Sequence, residues 1–252
     1  MVNNIKLYFY RFSKSISTIV CAVLLVIFAF LPTVLSFFIL LVQGMSPADF
    51  GNVNIFEEFI GQFEMITLLV LIFTTVFLAN DEKNGFIKNM VSVQKRRLDI
   101  FISRAVFVLF YLAAAVLLSF IFYFISYKIF FRSTAQFQIT SELAAKFGVM
   151  MLVSYAILLT VAMLGVLSRG IALPLTLGLL YLLNFFSLII AFFNVLVIKI
   201  TGIKTFDASC ILLANFYNDS FGTDLQRILV PSLYIVISSV TAMIVLEKRD
   251  VR

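Results

Sequence analysis

Histidine and tryptophan are absent from the 252 residues, and there are only two cysteines and four prolines. Without histidine the chain lacks the commonest metal ligand and the commonest proton shuttle near neutral pH, which weighs against most catalysis. Cys21 lies inside the first apolar run, and Cys210 in a distant polar-flanked stretch expected on the outer side, so the pair implies neither a disulfide framework nor a metal site. Charge is scarce: Asp, Glu, Lys and Arg make up 13% of the chain, against about 25% in soluble domains. The G-x-x-x-x-G-K-[ST] loop that cradles nucleotide phosphates is missing, so any ATP that drives this protein is bound by another chain. No charged residue falls near the middle of a long apolar run, where ion-coupled carriers keep ionisable groups, and this disfavours a self-powered secondary transporter.

What is present is apolar surface. Hydrophobic residues make up 62% of the chain and the mean hydropathy is +1.10, more than a water-soluble fold could hide. A hydrocarbon core of about 30 Å needs about 20 helical residues. The runs of that length predict an all-α polytopic protein forming one domain, 1–252, with six spans at 18–42, 59–79, 105–127, 147–167, 171–193 and 228–246. Pro32 is expected to kink the first span. The second reaches length only if carried back through Phe59 past Glu64. The uncharged run from Ile171 to Ile198 is longer than one upright span, so it has to tilt or break, with Asn194 as the expected breaking point. The last span is expected to be entered through Pro231. Segment 206–216 is apolar but about half the required length, and reads as a re-entrant or interfacial helix on the outer side.

Residues 1–16 resemble the basic region of a signal peptide, but the following run is too long and lacks a small-residue cleavage site, so they are kept as mature protein. Ile5, Tyr8, Phe9, Phe12 and Ile16 recur at helical spacing opposite Lys6, Arg11 and Lys14, as in a helix lying in the headgroup plane; the alternative is a basic tail that only sets orientation. With six spans and the N-terminus inside, the inner segments hold most of the 19 basic residues: Lys6, Arg11, Lys14, Lys83, Lys88, Lys95, Arg96, Arg97, Arg104, Arg169, Lys248, Arg249 and Arg252. The first outer loop has Asp49, Glu57, Glu58 and Glu64 and no basic residue. The positive-inside rule then puts both termini in the cytoplasm. The net charge of +6 is a topology signal and not a nucleic-acid footprint, because the basic residues sit in short stretches beside apolar runs.

The segment between spans two and three, 80–104, carries the most specific pattern. Asp81 stands four positions before Gly85; Lys88 and Asn89 form a polar turn; Met90 and Val91 follow; Arg97 closes it, and Ser103 with Arg104 opens the next span. This resembles the signature loop of ABC-2 type permeases, the membrane subunits of one class of ABC exporter. Phe86, Gln94 and Arg96 stand where that family usually has threonine, proline and serine. The motif covers about 25 residues, although the layout of the whole chain fits. The resemblance implies a cytoplasmic coupling helix that docks on a separate ABC ATPase through Asp81, Glu82, Gly85, Lys88, Arg97 and Arg104, with Asp81 or Glu82 capping its N-terminus. It also implies a dimer with a second permease subunit. No cofactor is expected on this chain; ATP and Mg would sit on the partner ATPase. The compact form is similar to bacitracin and lantibiotic-immunity permeases and to phenol-soluble modulin exporters, so the expected cargo is an amphipathic peptide or another lipid-soluble compound. The physical reading of the loop without the family is a charged cytoplasmic helix able to dock in a partner's groove, or a solvated basic loop that only fixes topology.

Tyr181, Asn184 and Ser187 stand at i, i+3 and i+6 of span five, on one face of a continuous helix, and are candidates for a substrate path. Ordinary interhelical hydrogen bonding is the equal alternative. Thr67, Thr74 and Thr75 in span two can bond back to their own helix. Two further classes compete with transport: a membrane scaffold or sensor, and an intramembrane enzyme. Glu57-Glu58 is the only hint of the latter, and it lacks any histidine ligand.

Overall fold

The computed structural model describes residues 2–44, 53–83, 98–132, 134–168, 170–201, 212–217 and 223–248. They form a helical membrane protein. Five stretches are long and apolar enough to cross a bilayer, or six if a bent pair is one span.

The first helix, α1 (Val2–Lys14), is followed at Ser15 by α2 (Ile16–Val42), which runs unbroken through Pro32. Cys21, Leu25, Ala29 and Thr33 are buried at intervals of four, while Ile19, Val23, Ile27 and Val34 stand exposed. One stripe of α2 therefore packs against the bundle and the rest is exposed apolar surface. A short α3 (Ile55–Ile60) and α4 (Phe63–Lys83) follow and together make the second apolar stretch, Ile55–Leu78. Next come α5 (Leu98–Phe130) and α6 (Ser141–Ser168). The expected spans at 18–42, 105–127 and 147–167 lie within α2, α5 and α6, whereas that at 59–79 starts in α3, crosses the turn at Gly61-Gln62 and continues in α4.

The fifth stretch breaks. Helix α7 (Ala172–Leu182) and α8 (Phe185–Thr201) meet at 61°. The break falls at Leu183-Asn184 and not at Asn194, which lies inside α8. Asn184 has φ +58°, a left-handed conformation that Asn tolerates better than most residues and that stops helix propagation. The last helix, α9 (Asp224–Lys248), has Pro231 in its interior rather than at its entrance. Its start is fixed upstream by a reciprocal capping box: Thr223 N donates to Gln226 Oε1 at 3.0 Å, and Gln226 N donates to Thr223 Oγ1 at 3.4 Å. Of the expected outer segment 206–216, the described part is a single 3-10 turn, Leu213–Tyr217.

The all-α expectation needs one amendment, a two-residue parallel ladder between β1 (Val53–Asn54) and β2 (Ala135–Gln136). Asn54 secures it. Its side chain accepts from Phe56 N at 3.2 Å, capping α3, and donates to Gln138 O at 3.0 Å. The ladder ties the start of α3 to the connection between α5 and α6.

Side-chain pairs fix the direction of each helix. Cys21 meets Tyr111 and Thr33 meets Ser126, so α2 and α5 run parallel. Phe77 stacks near Phe107 and Phe59 near Phe120 and Tyr123, so the α3–α4 stretch runs against α5. Phe63 meets Phe147 and Thr67 meets Ser154, making α4 and α6 parallel. Gly178 of α7 abuts Leu71 and Asn184 reaches back to Glu64, so α7 opposes α4. Ser238 pairs with Thr160, and Ala242 and Leu246 cluster with Val166 and Phe101, so α9 follows α6. The start of α2, the ends of α4, α6 and α9, and the start of α5 consequently share one end of the bundle.

Candidate functional site

At that shared end, α1 packs on α5. Tyr8 is fully buried, stacked on Phe107; Phe12 lies edge-on to Phe77, Phe107 and Tyr111. Tyr8 and Phe12 therefore cover the packed face, as the spacing predicts, whereas Ile16 is exposed in the first turn of α2. Arg11, expected on the polar face, lies over the Phe77 ring at 5.8 Å, a cation–π contact that lets its aliphatic stem cover apolar surface.

The expected coupling residues divide into three groups. Gly85, Lys88 and Arg97 lie outside the described residues. Asp81 and Glu82 belong to the last turn of α4, so they extend that helix and do not stand at the N-cap of a following one. Arg104 is in the second turn of α5 but is turned into the protein: it is 3% exposed, and its Nε donates to Tyr8 Oη at 3.1 Å. Instead of offering a surface charge to a partner, it fastens α1 to α5. Ser103 beside it donates to Asp99 O at 2.6 Å within the same helix. Arg104 also borders a void of about 10 Å³ shared with Thr74, Thr75, Gly165 and Pro174, room for about one water. Thr74 Oγ1, buried at this site, has no hydrogen-bond partner among the described residues, whereas Thr75 bonds back to Leu71 O at 2.7 Å as its sequence position predicts.

The second candidate region surrounds the break between α7 and α8. Tyr181, Asn184 and Ser187 do not share a helical face, because the helix ends between the first and the second of them. Each makes a separate brace. Tyr181 Oη accepts from Leu213 N at 2.6 Å; Asn184 Nδ2 donates to Glu64 Oε1 at 3.4 Å; Ser187 Oγ donates to Asn215 Oδ1 at 2.7 Å. Two of the three braces hold the 3-10 turn. That turn is anchored further by Tyr217, whose hydroxyl lies 2.9 Å from both Ser154 Oγ and Thr67 Oγ1. Thr67 Oγ1 and Ser154 Oγ are 2.7 Å apart, and Phe63 O is 2.7 Å from Thr67 Oγ1. Three hydroxyl protons are thus shared within a ring of oxygens that joins α4, α6 and the turn. Sequence spacing finds Thr67 but not its partners, because Ser154 and Tyr217 are 87 and 150 residues away.

Under the turn lies an apolar cavity of about 260 Å³ walled by α6, α7, Phe186 of α8, Leu212, Leu213 and Tyr234 of α9. Tyr181 is the one expected path residue that lines it. Among the described residues no group of three or more Asp, Glu, Cys or His could hold a metal ion. Neither protein-family models nor curated proteins match the chain.

Proposed function

We propose that this chain is the membrane-spanning permease subunit of an ATP-driven exporter of the ABC-2 type, working with cytosolic ABC ATPase chains and a second permease subunit. The six spans are α2, α3 with α4, α5, α6, α7 with α8, and α9, both termini are cytoplasmic, and the chain resides in the cell membrane of a bacterium. ATP and Mg belong to the ATPase. The cargo is an amphipathic peptide or a similar lipid-soluble compound.

The observation that supports this best is what gathers at one end of the bundle. Segment 84–97, with Lys88, Lys95, Arg96 and Arg97, connects the ends of α4 and α5 there. Arg169 connects α6 and α7 at the same end, and Arg249 and Arg252 follow α9. Basic connections collected on one side are the positive-inside pattern. At that end α5 also carries α1, clamped by the buried Arg104–Tyr8 contact. A push on the segment before α5 is therefore delivered to a helix that reaches through the bundle and to the interfacial helix together, as a rigid lever requires.

The test is a pair of substitutions in that segment. Gly85→Trp would block close backbone approach, and Arg97→Glu would reverse one charge of a docking pair, whose truncation typically costs about 2 to 5 kcal/mol. Both variants should insert normally yet release the ATPase on purification or lose ATP hydrolysis. Normal ATPase binding and hydrolysis in both would leave a membrane protein with a basic loop, and the scaffold reading would replace this one.

A further inference from the structure

The geometry points to a binding site for one acyl chain of a bilayer lipid in the cavity between α6, α7 and α9. The inference rests on packing alone and does not need an ATPase. The cavity is a partly open pocket of about 260 Å³, larger than the roughly 150 Å³ of an engineered apolar cavity that stays dry and takes up benzene. Its lining includes Ile157, Val161, Leu164, Leu177 and Phe186, and no charged side chain. Three hydroxyl-bearing residues line it, and each is engaged: Thr160 with Ala156 O at 2.8 Å and Ser238 Oγ at 3.1 Å, Tyr181 with Leu213 N, and Tyr234 with the Tyr181 hydroxyl. A wall without an available polar group cannot hold water well and gives a polar ligand nothing to bind, so the occupant is hydrocarbon.

The source follows from the surroundings. The helices that border the cavity present Leu167, Leu173, Leu183, Leu233 and Ile237 outward, all between 44% and 64% exposed. These residues belong to the apolar surface that the bilayer covers, which puts acyl chains beside the cavity at high local concentration. Above it, the 3-10 turn is fixed by Tyr217, Tyr181 and Ser187, so the cavity has a built roof. The break at Asn184 turns α8 away from the line of α7 by 61°, and of α8 only Phe186 reaches the cavity wall.

The experiment uses the full chain in vesicles of phosphatidylcholine containing a small fraction of phosphatidylcholine with a diazirine at the end of one acyl chain. After illumination, adducts are mapped by mass spectrometry. The inference expects adducts concentrated in 157–164 and 177–186, and their reduction by about tenfold in Leu177→Trp, whose indole occupies the volume a chain would need. Leu233→Trp, on the outward face of α9, should leave them unchanged. The wild-type adduct map is a sufficient test if Leu177→Trp folds poorly. Adducts spread evenly over outward residues such as Val20, Leu117 and Ile237 would overturn the inference. So would labelling of the cavity by an amphipathic peptide bearing benzoylphenylalanine where the lipid probe fails to label it.

Discussion

Asn184 holds φ at +58°, a conformation that costs most L-residues about 1 to 2 kcal/mol and Asn somewhat less. It also leaves Oδ1 buried without a hydrogen bond among the described residues while Nδ2 reaches Glu64. The backbone requirement and the side-chain contact can be separated by substitution. Asn184→Gly removes the conformational penalty and the contact together and should melt close to the wild type. Asn184→Val forces a β-branched residue into the left-handed region and should lower stability by about 2 kcal/mol. Thermal melting in detergent checks the order, and a valine variant as stable as the glycine one would show that the break is held by packing and not by this residue. The sequence marked Asn184 as polar in an apolar run but not as a break, because the left-handed conformation of a single Asn leaves no periodic signal. Arg104 shows the opposite limit. Its position beside a basic loop suggests a surface charge, yet the structure buries it against Tyr8, a contact 96 residues apart that no local pattern encodes.

At the scale of the elements, apolar length was the legible quantity. Helices α2, α3 with α4, α5 and α6 account for the first four expected spans because a bilayer requires satisfied backbone groups over about 20 residues and leaves few alternatives to a helix. Their boundaries extend beyond the uncharged runs, since polar turns such as Ser141–Lys146, which opens α6 ahead of its apolar run, are helical too. The start of α9 was legible as well, in Thr223-x-x-Gln226, but the proline eight residues further on was the louder signal and misled. Gly178 shows what packing adds. A glycine inside a helix costs about 1 kcal/mol relative to alanine, and here the missing side chain lets α7 approach α4 and α6. A Cβ at this position would stand 3.0 Å from Leu71 Cδ1, Leu71 Cδ2 and Val161 Cγ2. Gly178→Leu should therefore destabilise by about 1 to 3 kcal/mol. Leu71→Ala in the same chain should recover part of that loss, because it removes two of the three obstructing atoms. Equal melting of the single and double variants would mean that α7 simply shifts aside.

Taken as a whole, the molecule is a set of alternating helices whose most buried members, α4 and α6, are flanked by the more lipid-exposed α2 and α9. The contact pairs that give the helix directions also bring the start of α2 and the end of α9 to the same end, which an even number of crossings requires. The end at which α3 begins is held by aromatic packing, with Phe56, Phe59, Phe120 and Phe147 in contact, and by the short ladder at Asn54. The opposite end carries α1, packed on α5. On the proposed function this asymmetry would suit a machine driven from one side, with one end braced and a broken span beside an apolar cavity. The proposed function rests on the loop motif, whose residues have chemistry that a basic topology signal also has. The claim that they transmit the work of ATP is tested most directly by reconstituting the chain with its ATPase in vesicles loaded with a fluorescent amphipathic peptide. The measurement is removal of that peptide from the bilayer. The account predicts removal only with ATP and Mg, and none with Gly85→Trp in place of the wild type. Removal that is independent of ATP, or equal in the Gly85→Trp protein, would contradict it.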